Sequence, residues 1–233
     1  MKFESYAQDC EDIILYGVLK DIEKGFYIDV GANDPELLSV TKAFYDRGWH
    51  GINIEPLHAV CAKLEQERPR DINLCIGCGK EHGKMDLYER GMGSTFSAEE
   101  VTRQKMPESI KKTRFIWTLS EVYEQYPPPS GNIHFCKIDV EGYEREVLVG
   151  VKDWHKFRPW IFVMEATLPG TGTPCHDKWE SILLDNEYVF ALKHGINRYY
   201  VAAEREYLLD NFAKINQFVA ENEVWQKFRR KIG

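Results

Sequence analysis

Short runs of β-branched, apolar and aromatic residues alternate along the chain with stretches whose apolar positions recur at helical spacing. The runs Phe26 to Val30, Gly51 to Glu55, Ile72 to Ile76, Ile133 to Asp139 and Trp160 to Glu165 predict strands. Between them, Leu38 to Arg47, Ala59 to Gln66, Leu119 to Tyr126 and Tyr143 to Val149 predict helices. Strands separated by helices imply βαβ units and a parallel sheet. The first two strands are almost continuously apolar and end in an acid, which suits central strands covered on both faces. Two later strands, Glu187 to Lys193 and Arg198 to Ala202, are separated only by a short turn through His194-Gly195-Ile196-Asn197. So short a link makes a hairpin and cannot make a parallel crossover. The fold class is therefore α/β: a doubly wound, mostly parallel sheet with a C-terminal antiparallel hairpin.

Three stretches break this rhythm. Gly91 to Arg114 is polar, flanked by glycine and rich in Ser, Thr and Lys, and reads as an irregular lid or substrate loop. Pro127-Pro128-Pro129-Ser130-Gly131 reads as a rigid connector. Beyond Ala203 the pattern predicts two amphipathic helices. Leu208, Leu209, Phe212 and Ile215 form the first stripe, and Phe218, Val219, Val224, Trp225 and Phe228 the second. They are expected to cap the domain or to form a dimer surface. This divides the chain into a domain over residues 1–202 and a C-terminal helical extension over 203–233.

Composition narrows the classes. A chain of 233 residues with 43% hydrophobic and 29% charged content can bury one substantial core. It contains no apolar run long enough to span a bilayer, and Met1-Lys2-Phe3-Glu4-Ser5 lacks the apolar stretch of a secretory leader. A formal net charge of -7 argues against a nucleic-acid partner. The cysteines at 10, 61, 75, 78, 136 and 175 are scattered, and Cys75-Ile76-Gly77-Cys78 has no second pair to complete a zinc set. The expectation is a cytoplasmic protein with reduced thiols.

Candidate chemistry begins at Tyr27-Ile28-Asp29-Val30-Gly31-Ala32-Asn33-Asp34, where a strand runs into a glycine turn. In open parallel sheets ligands bind beyond the carboxyl ends of strands, where the strand order reverses. The dinucleotide fingerprint and the phosphate-loop lysine are both absent, which disfavours a nucleotide-dependent oxidoreductase. A single glycine flanked by Asp29 and Asp34 suits a cationic ligand better than a pyrophosphate. Glu55 ends the next strand, where an acid can accept the hydroxyl protons of a ribose. In Phe135-Cys136-Lys137-Ile138-Asp139-Val140-Glu141, alternation places Lys137, Asp139 and Glu141 on one side of an extended segment, and Glu165 ends the following strand. His134 and His194 read as a core or edge residue and an exposed turn residue. Ser94 and Thr95 read either as substrate contacts of the loop or as a polar turn.

These motifs, in this order, resemble the FkbM-type methyltransferases, S-adenosylmethionine-dependent enzymes of Rossmann-like fold that mostly methylate hydroxyl groups. The resemblance covers most of the chain. It is carried by Ser5-Tyr6-Ala7-Gln8-Asp9-Cys10-Glu11-Asp12, by Asp29 to Asp34, and by Gly48-Trp49-His50-Gly51-Ile52-Asn53-Ile54-Glu55-Pro56. It continues through Lys137 to Gly142 and the strand ending at Glu165. It implies that Asp29, Gly31 and Asn33 line the cofactor, with Gln8, Ala32, Asp34 and Pro56 beside them. It further implies that Glu55 holds the ribose and that Ile76 and Gly77 lie by the adenine. Gly77-Cys78 departs from the family's usual small residue followed by Ser or Asp. The segment Gly195 to Ala202 with Glu204 resembles one found in members associated with bacterial surface glycans, which implies a sugar hydroxyl as acceptor.

A hydroxyl needs a base, or a metal that lowers its pKa, before it can attack a methyl group. Asp139 is the first candidate, Glu141 the second and Glu165 the third, with Lys137 orienting a carboxylate or the substrate. If Asp139, Glu141 and Glu165 converge they would suit a divalent cation such as magnesium. If they diverge, a general base is the simpler reading. Two other readings stay open: an acceptor that is a non-sugar small molecule, and a non-catalytic module of a glycan-assembly complex. Homo-oligomers, association with glycan-assembly enzymes and membership of a longer protein are compatible with both.

Overall fold

The computed structural model describes residues 2–215, 217–218 and 223–226. The elements run β1 (Lys2–Ser5), α1 (Glu11–Val18), β2 (Phe26–Val30), α2 (Lys42–Asp46), β3 (His50–Ile54), α3 (His58–Glu67) and β4 (Ile72–Leu74). They continue with β5 (Gly77–Cys78), β6 (Gly83–Tyr88), α4 (Ala98–Arg103), β7 (Lys111–Trp117), α5 (Leu119–Gln125) and β8 (Phe135–Ile138). Last come α6 (Glu144–Val149), β9 (Ile161–Glu165), α7 (Glu180–Asp185), β10 (Tyr188–His194), β11 (Asn197–Ala202), α8 (Leu209–Ala213) and β12 (Glu223–Gln226).

The main sheet has seven strands in the order β10-β11-β9-β8-β2-β3-β4. β4, β3, β2, β8 and β9 pair in parallel, and β11 pairs antiparallel with both β9 and β10. The expected fold class is thus the observed one. Alternation along the central strands explains why both sheet faces are covered. Ile28, Cys136, Ile138 and Phe162 face a core completed by Leu119, Val122, Val147, Leu148 and Leu183 of α5, α6 and α7. Tyr27, Phe135, Ile161 and Val163 face the opposite core, with Leu15 and Val18 of α1, Phe44 of α2 and Phe212 of α8. Thr118 starts α5 with a reciprocal cap: its side chain accepts from the Glu121 amide, and the Glu121 carboxylate accepts from the Thr118 amide.

Chain order leaves β2 toward β3 on one side and reaches β8 on the other, so the strand order reverses between β2 and β8. That is where an open α/β sheet forms a crevice.

Several expectations need correction. The segment 91–114 is not irregular: it holds α4, a short 3-10 turn and the start of β7. β7 pairs antiparallel with β6 and parallel with β5 in a second, three-stranded sheet. Lys111, Lys112, Thr113 and Phe115 of β7 are exposed, so the strand carries a polar pattern that reads as a loop. The helix expected from Leu38 starts only at Lys42, because Leu38 takes a left-handed backbone angle of φ 59°. Val224 and Trp225, expected on a helix, lie in β12, which pairs in parallel with β1. Val219 and Phe228 lie outside the described residues. Leu208, Phe212 and Ile215 do pack together, against the core under α1. Among the described residues no helix is long and apolar enough to cross a membrane.

Candidate active site

The turn after β2 is built around Gly31, whose φ is 77°. A Cβ there would lie 1.9 Å from the Asp139 carbonyl oxygen, so only glycine lets the β2 and β8 ends approach this closely. The Gly31 and Ala32 amides both donate to the Ile54 carbonyl at the end of β3. Asn33 follows at φ 52°, a region that Asn tolerates better than most residues. Its amide donates to Glu55 Oε2 at 2.9 Å, and the Leu57 amide donates to Glu55 Oε1 at 2.8 Å. Glu55 therefore ties together the loops after β2 and β3, and each of its oxygens keeps one lone pair for a ligand.

A cavity of about 800 Å³ opens over these strand ends. Eleven of the fourteen expected site residues line it: Gln8, Gly31, Ala32, Asn33, Glu55, Pro56, Gly77, Lys137, Asp139, Glu141 and Glu165. Asp29, Asp34 and Ile76 do not. Asp29 lies under the floor, fully buried, where Thr41 donates to it and the Lys137 ammonium stands 3.3 Å away. Asp34 turns aside to accept the Glu36 and Leu37 amides and to pair with Lys63. Ile76 packs on the core beneath α5 and α6.

Lys137 is the hub of the floor. It donates to the Gly31 carbonyl at 2.9 Å and stands 3.5 Å from Asp139 Oδ2. Against the cost of burial, Asp29 and Asp139 hold its ammonium above the ordinary lysine value. Burial raises the Asp29 carboxyl while Lys137 lowers it. The direct contact and the Thr41 donor favour the ionised pair.

The expected alternation fails at Glu141. β8 ends at Ile138, and the chain turns through Glu141 and Gly142 at φ 56° and 89°. The turn is held by Glu144, whose Oε1 accepts the Val140 and Gly142 amides, and by the Thr95 hydroxyl, which donates to the Glu141 carbonyl. Glu141 still reaches the cavity, by the turn rather than by period two. Burial and the neighbouring Asp139 and Glu144 push its carboxyl up to about 8. Glu165 is 5% exposed, and its Oε2 has no hydrogen-bond partner. Burial, then the charges of Asp139, Glu144 and Glu141 and a hydrogen bond with Asp139, push its carboxyl well above the ordinary range. Among the described residues no three His, Cys, Asp or Glu side chains are placed to share one metal ion. Asp139, Glu141 and Glu165 thus line one cavity without forming a ligand set.

Part of the wall carries no local signal in the sequence. Glu11 lines the cavity, accepting from Asn197 Nδ2 at 2.6 Å and from the Asp9 amide at 2.8 Å. Asn197 lines it too, in register with Glu165 on the neighbouring strand. Both residues lie inside motifs singled out above, but only the tertiary contact gives them a role. The rim comes from Arg90 to Ser94 with Phe96 and Gln104, and from Pro169 to Gly172. Ser94 lines the cavity with its hydroxyl held in a local turn by the Gly91 carbonyl and the Arg90 amide, and Thr95 is spent on the turn at Glu141. Tyr199 and Tyr200 are fully buried in the sheet, and His134 is a core residue accepting the Phe26 amide. His194 is exposed, and the described cysteines are all free thiols.

No curated protein sequence matches the chain. Among solved structures it is similar to one described as methyltransferase FkbM from Methylobacillus flagellatus KT. The identity is 15% and the TM-score 0.48, over 77% of this chain and 44% of that one. The chain spans less than half of that protein, and so distant a likeness carries no functional inference. The family model is decisive: the Methyltransferase FkbM domain matches residues 29–190, from Asp29 at the floor of the site through to β10. The chain belongs to the FkbM methyltransferase family.

Proposed function

We propose that this chain transfers a methyl group from S-adenosylmethionine to a hydroxyl of a sugar-like acceptor, with Asp139 as general base. The observation that supports it most is one cavity joining two sets of groups at the switch point between β2 and β8. On one side are the Gly31–Asn33 turn and Glu55; on the other are Asp139, Glu141 and Glu165.

The residues fit the cofactor. The volume of about 800 Å³ lies within the range of cofactor clefts. The bare Gly31 turn allows close approach, Glu55 has lone pairs left for the ribose hydroxyls, and Pro56, Gly77 and Phe96 offer an apolar wall for the base. A carboxylate-rich interior suits a cation. S-adenosylmethionine supplies an electrophilic methyl group on a positive sulfur. The chain itself must hold the acceptor oxygen in line behind that methyl and keep water out, effects worth roughly 7 kcal/mol or more when geometry is ideal. The rim segments 90–94 and 169–172 line the cavity, and in this reading they cover the acceptor.

Asp139 takes the acceptor proton. Its side chain is 32% exposed, the Lys137 ammonium orients it, and it stands at the end of β8 beside the Gly31 turn. Glu141 is the second candidate. Asn197 and Glu11 supply hydrogen-bonding groups for acceptor hydroxyls, in keeping with a polyol. The test is methyl transfer from S-adenosylmethionine to a panel of neutral methyl glycosides, followed by mass spectrometry, with wild type and Asp139→Asn, with and without chelator. Transfer to oxygen that is lost in the variant and indifferent to chelator supports the reading. No transfer to any glycoside by a protein that binds the donor, or transfer undiminished in Asp139→Asn, sinks it.

A further inference from the structure

The charge lining the cavity is one-sided. Five carboxylates, Glu11, Glu55, Asp139, Glu141 and Glu165, face two cations, Lys137 and Arg90. Lys137 is committed to the Gly31 carbonyl, Asp29 and Asp139. Arg90 sits on the exposed rim, donating to Gln104. Some of the acids are also satisfied. Glu55 accepts two amides, Glu11 is held by Asn197 and the Asp9 amide, and Asp139 has Lys137. Behind the wall Glu144 accepts two amides, and Glu100 is neutralised by Arg103.

Glu165 is different. It is 5% exposed, lines the cavity, and leaves Oε2 buried with no donor. Glu141 lines the cavity beside it, with Asp139, Glu144 and Glu100 as acidic neighbours and Lys137 as the cation that partly offsets them. Burial together with the neighbouring acids pushes both carboxyls above the ordinary range. A cation set between them would favour the ionised forms.

Resting on the methyl-donor reading above, we propose that Glu165 and Glu141 read the charge of the bound nucleoside: they favour the positive sulfonium of S-adenosylmethionine and discriminate against its neutral thioether product. The acceptor oxygen bonds to the methyl carbon as the carbon–sulfur bond breaks with its electron pair on sulfur, and the hydroxyl proton passes to Asp139. The ligand facing Glu165 and Glu141 thereby loses its positive charge. The attraction that seated the methyl donor ends with transfer, and the product is released from a site it no longer complements. These are specificity-determining residues and need not touch the acceptor.

Calorimetric dissociation constants for three ligands test this without any acceptor. The ligands are S-adenosylmethionine, S-adenosylhomocysteine and sinefungin, the analogue with an amine-bearing carbon in place of the methylated sulfur. In wild type, the two cationic ligands are expected to bind at least about 10-fold more tightly than the thioether, the scale of one charge-assisted contact. In Glu141→Gln and Glu165→Gln, which keep shape and remove charge, the gap shrinks to about 3-fold or less. The wild-type comparison stands even if a variant fails to fold. If wild type binds the thioether as tightly as the sulfonium, the charge-reading role is overturned while the methyl-donor reading survives. If none of the three binds, the methyl-donor reading falls and this inference falls with it.

Discussion

The Lys137 ammonium lies 2.9 Å from the Gly31 carbonyl oxygen and 3.3 Å from Asp29 Oδ1, fastening β8 to the turn that follows β2. Both charges are buried, so removing one leaves the other unpaired. Lys137→Met is expected to cost about 3–5 kcal/mol of stability. The double variant Asp29→Asn, Lys137→Met should recover part of that loss. Urea unfolding midpoints decide the matter, and a single-variant cost below about 1 kcal/mol would show the pair is not a structural tie.

Gly31→Ala attacks the same junction from the backbone. The new Cβ would meet the Asp139 carbonyl at 1.9 Å in a backbone conformation that disfavours side chains. The left-handed angle alone costs about 1 kcal/mol, and relief of the clash must part β2 from β8. A folded protein that no longer binds S-adenosylmethionine by calorimetry is expected. Wild-type affinity in this variant would mean the turn is not the cofactor seat.

Buried acids give stability a definite pH dependence. Burial pushes Glu11 and Glu144 up from 4.5 to about 7, and Asp12 from 3.8 to about 6. The folded chain keeps these protons where the unfolded chain has released them. Their contribution is therefore full below the unfolded values and is lost as pH rises through about 6 to 7. His134, pushed down to about 4 by burial, acts the other way with one proton. Glu141, pushed up to about 8, and Glu165, pushed higher still, act in the same direction as Glu11, so the net is a fall as pH rises from about 4.5 to 8, of about 1.4 kcal/mol per pH unit for each proton the folded chain retains. Denaturant midpoints from pH 4.5 to 8 should decline, and Glu11→Gln should flatten the slope by about one proton. A flat or rising profile contradicts this.

Asp139→Asn should lower kcat by about 100- to 10,000-fold, the usual range for removing a general base. Binding of S-adenosylmethionine should change little, because Gly31, Asn33 and Glu55 are untouched. Equal activity of Asp139→Asn and wild type would pass the role of base to Glu141.

Much of this fold was legible because its central strands obey simple patterns. Phe26 to Val30 and Ile161 to Glu165 are buried at every position and read as apolar runs interrupted only by Asp29 and closed by Glu165. Gly31 and Glu55 announced themselves as a turn and an acid at strand ends, which is where an open sheet must place a ligand. The antiparallel pair of β6 and β7 hid behind exposed Lys111 and Lys112, since a strand with little burial carries little signal. The reach of Glu141 came from a left-handed turn fixed by Glu144 and Thr95, contacts between residues far apart in the chain or spent on local backbone. Glu11 and Asn197 meet across 186 positions, a relation no local pattern encodes. The same holds for Arg68, which is fully buried and joins Tyr27, Thr41, Asp71 and the Pro35 carbonyl beneath the turn.

The most direct test of a methyl-donor seat at Gly31, Asn33 and Glu55 is calorimetric titration with S-adenosylmethionine of wild type and Glu55→Ala. Saturable one-to-one binding in wild type, weakened at least about 10-fold in the variant, is the predicted result. Equal affinity in the two proteins would contradict the assignment of Glu55, and absence of binding in wild type would contradict the account as a whole.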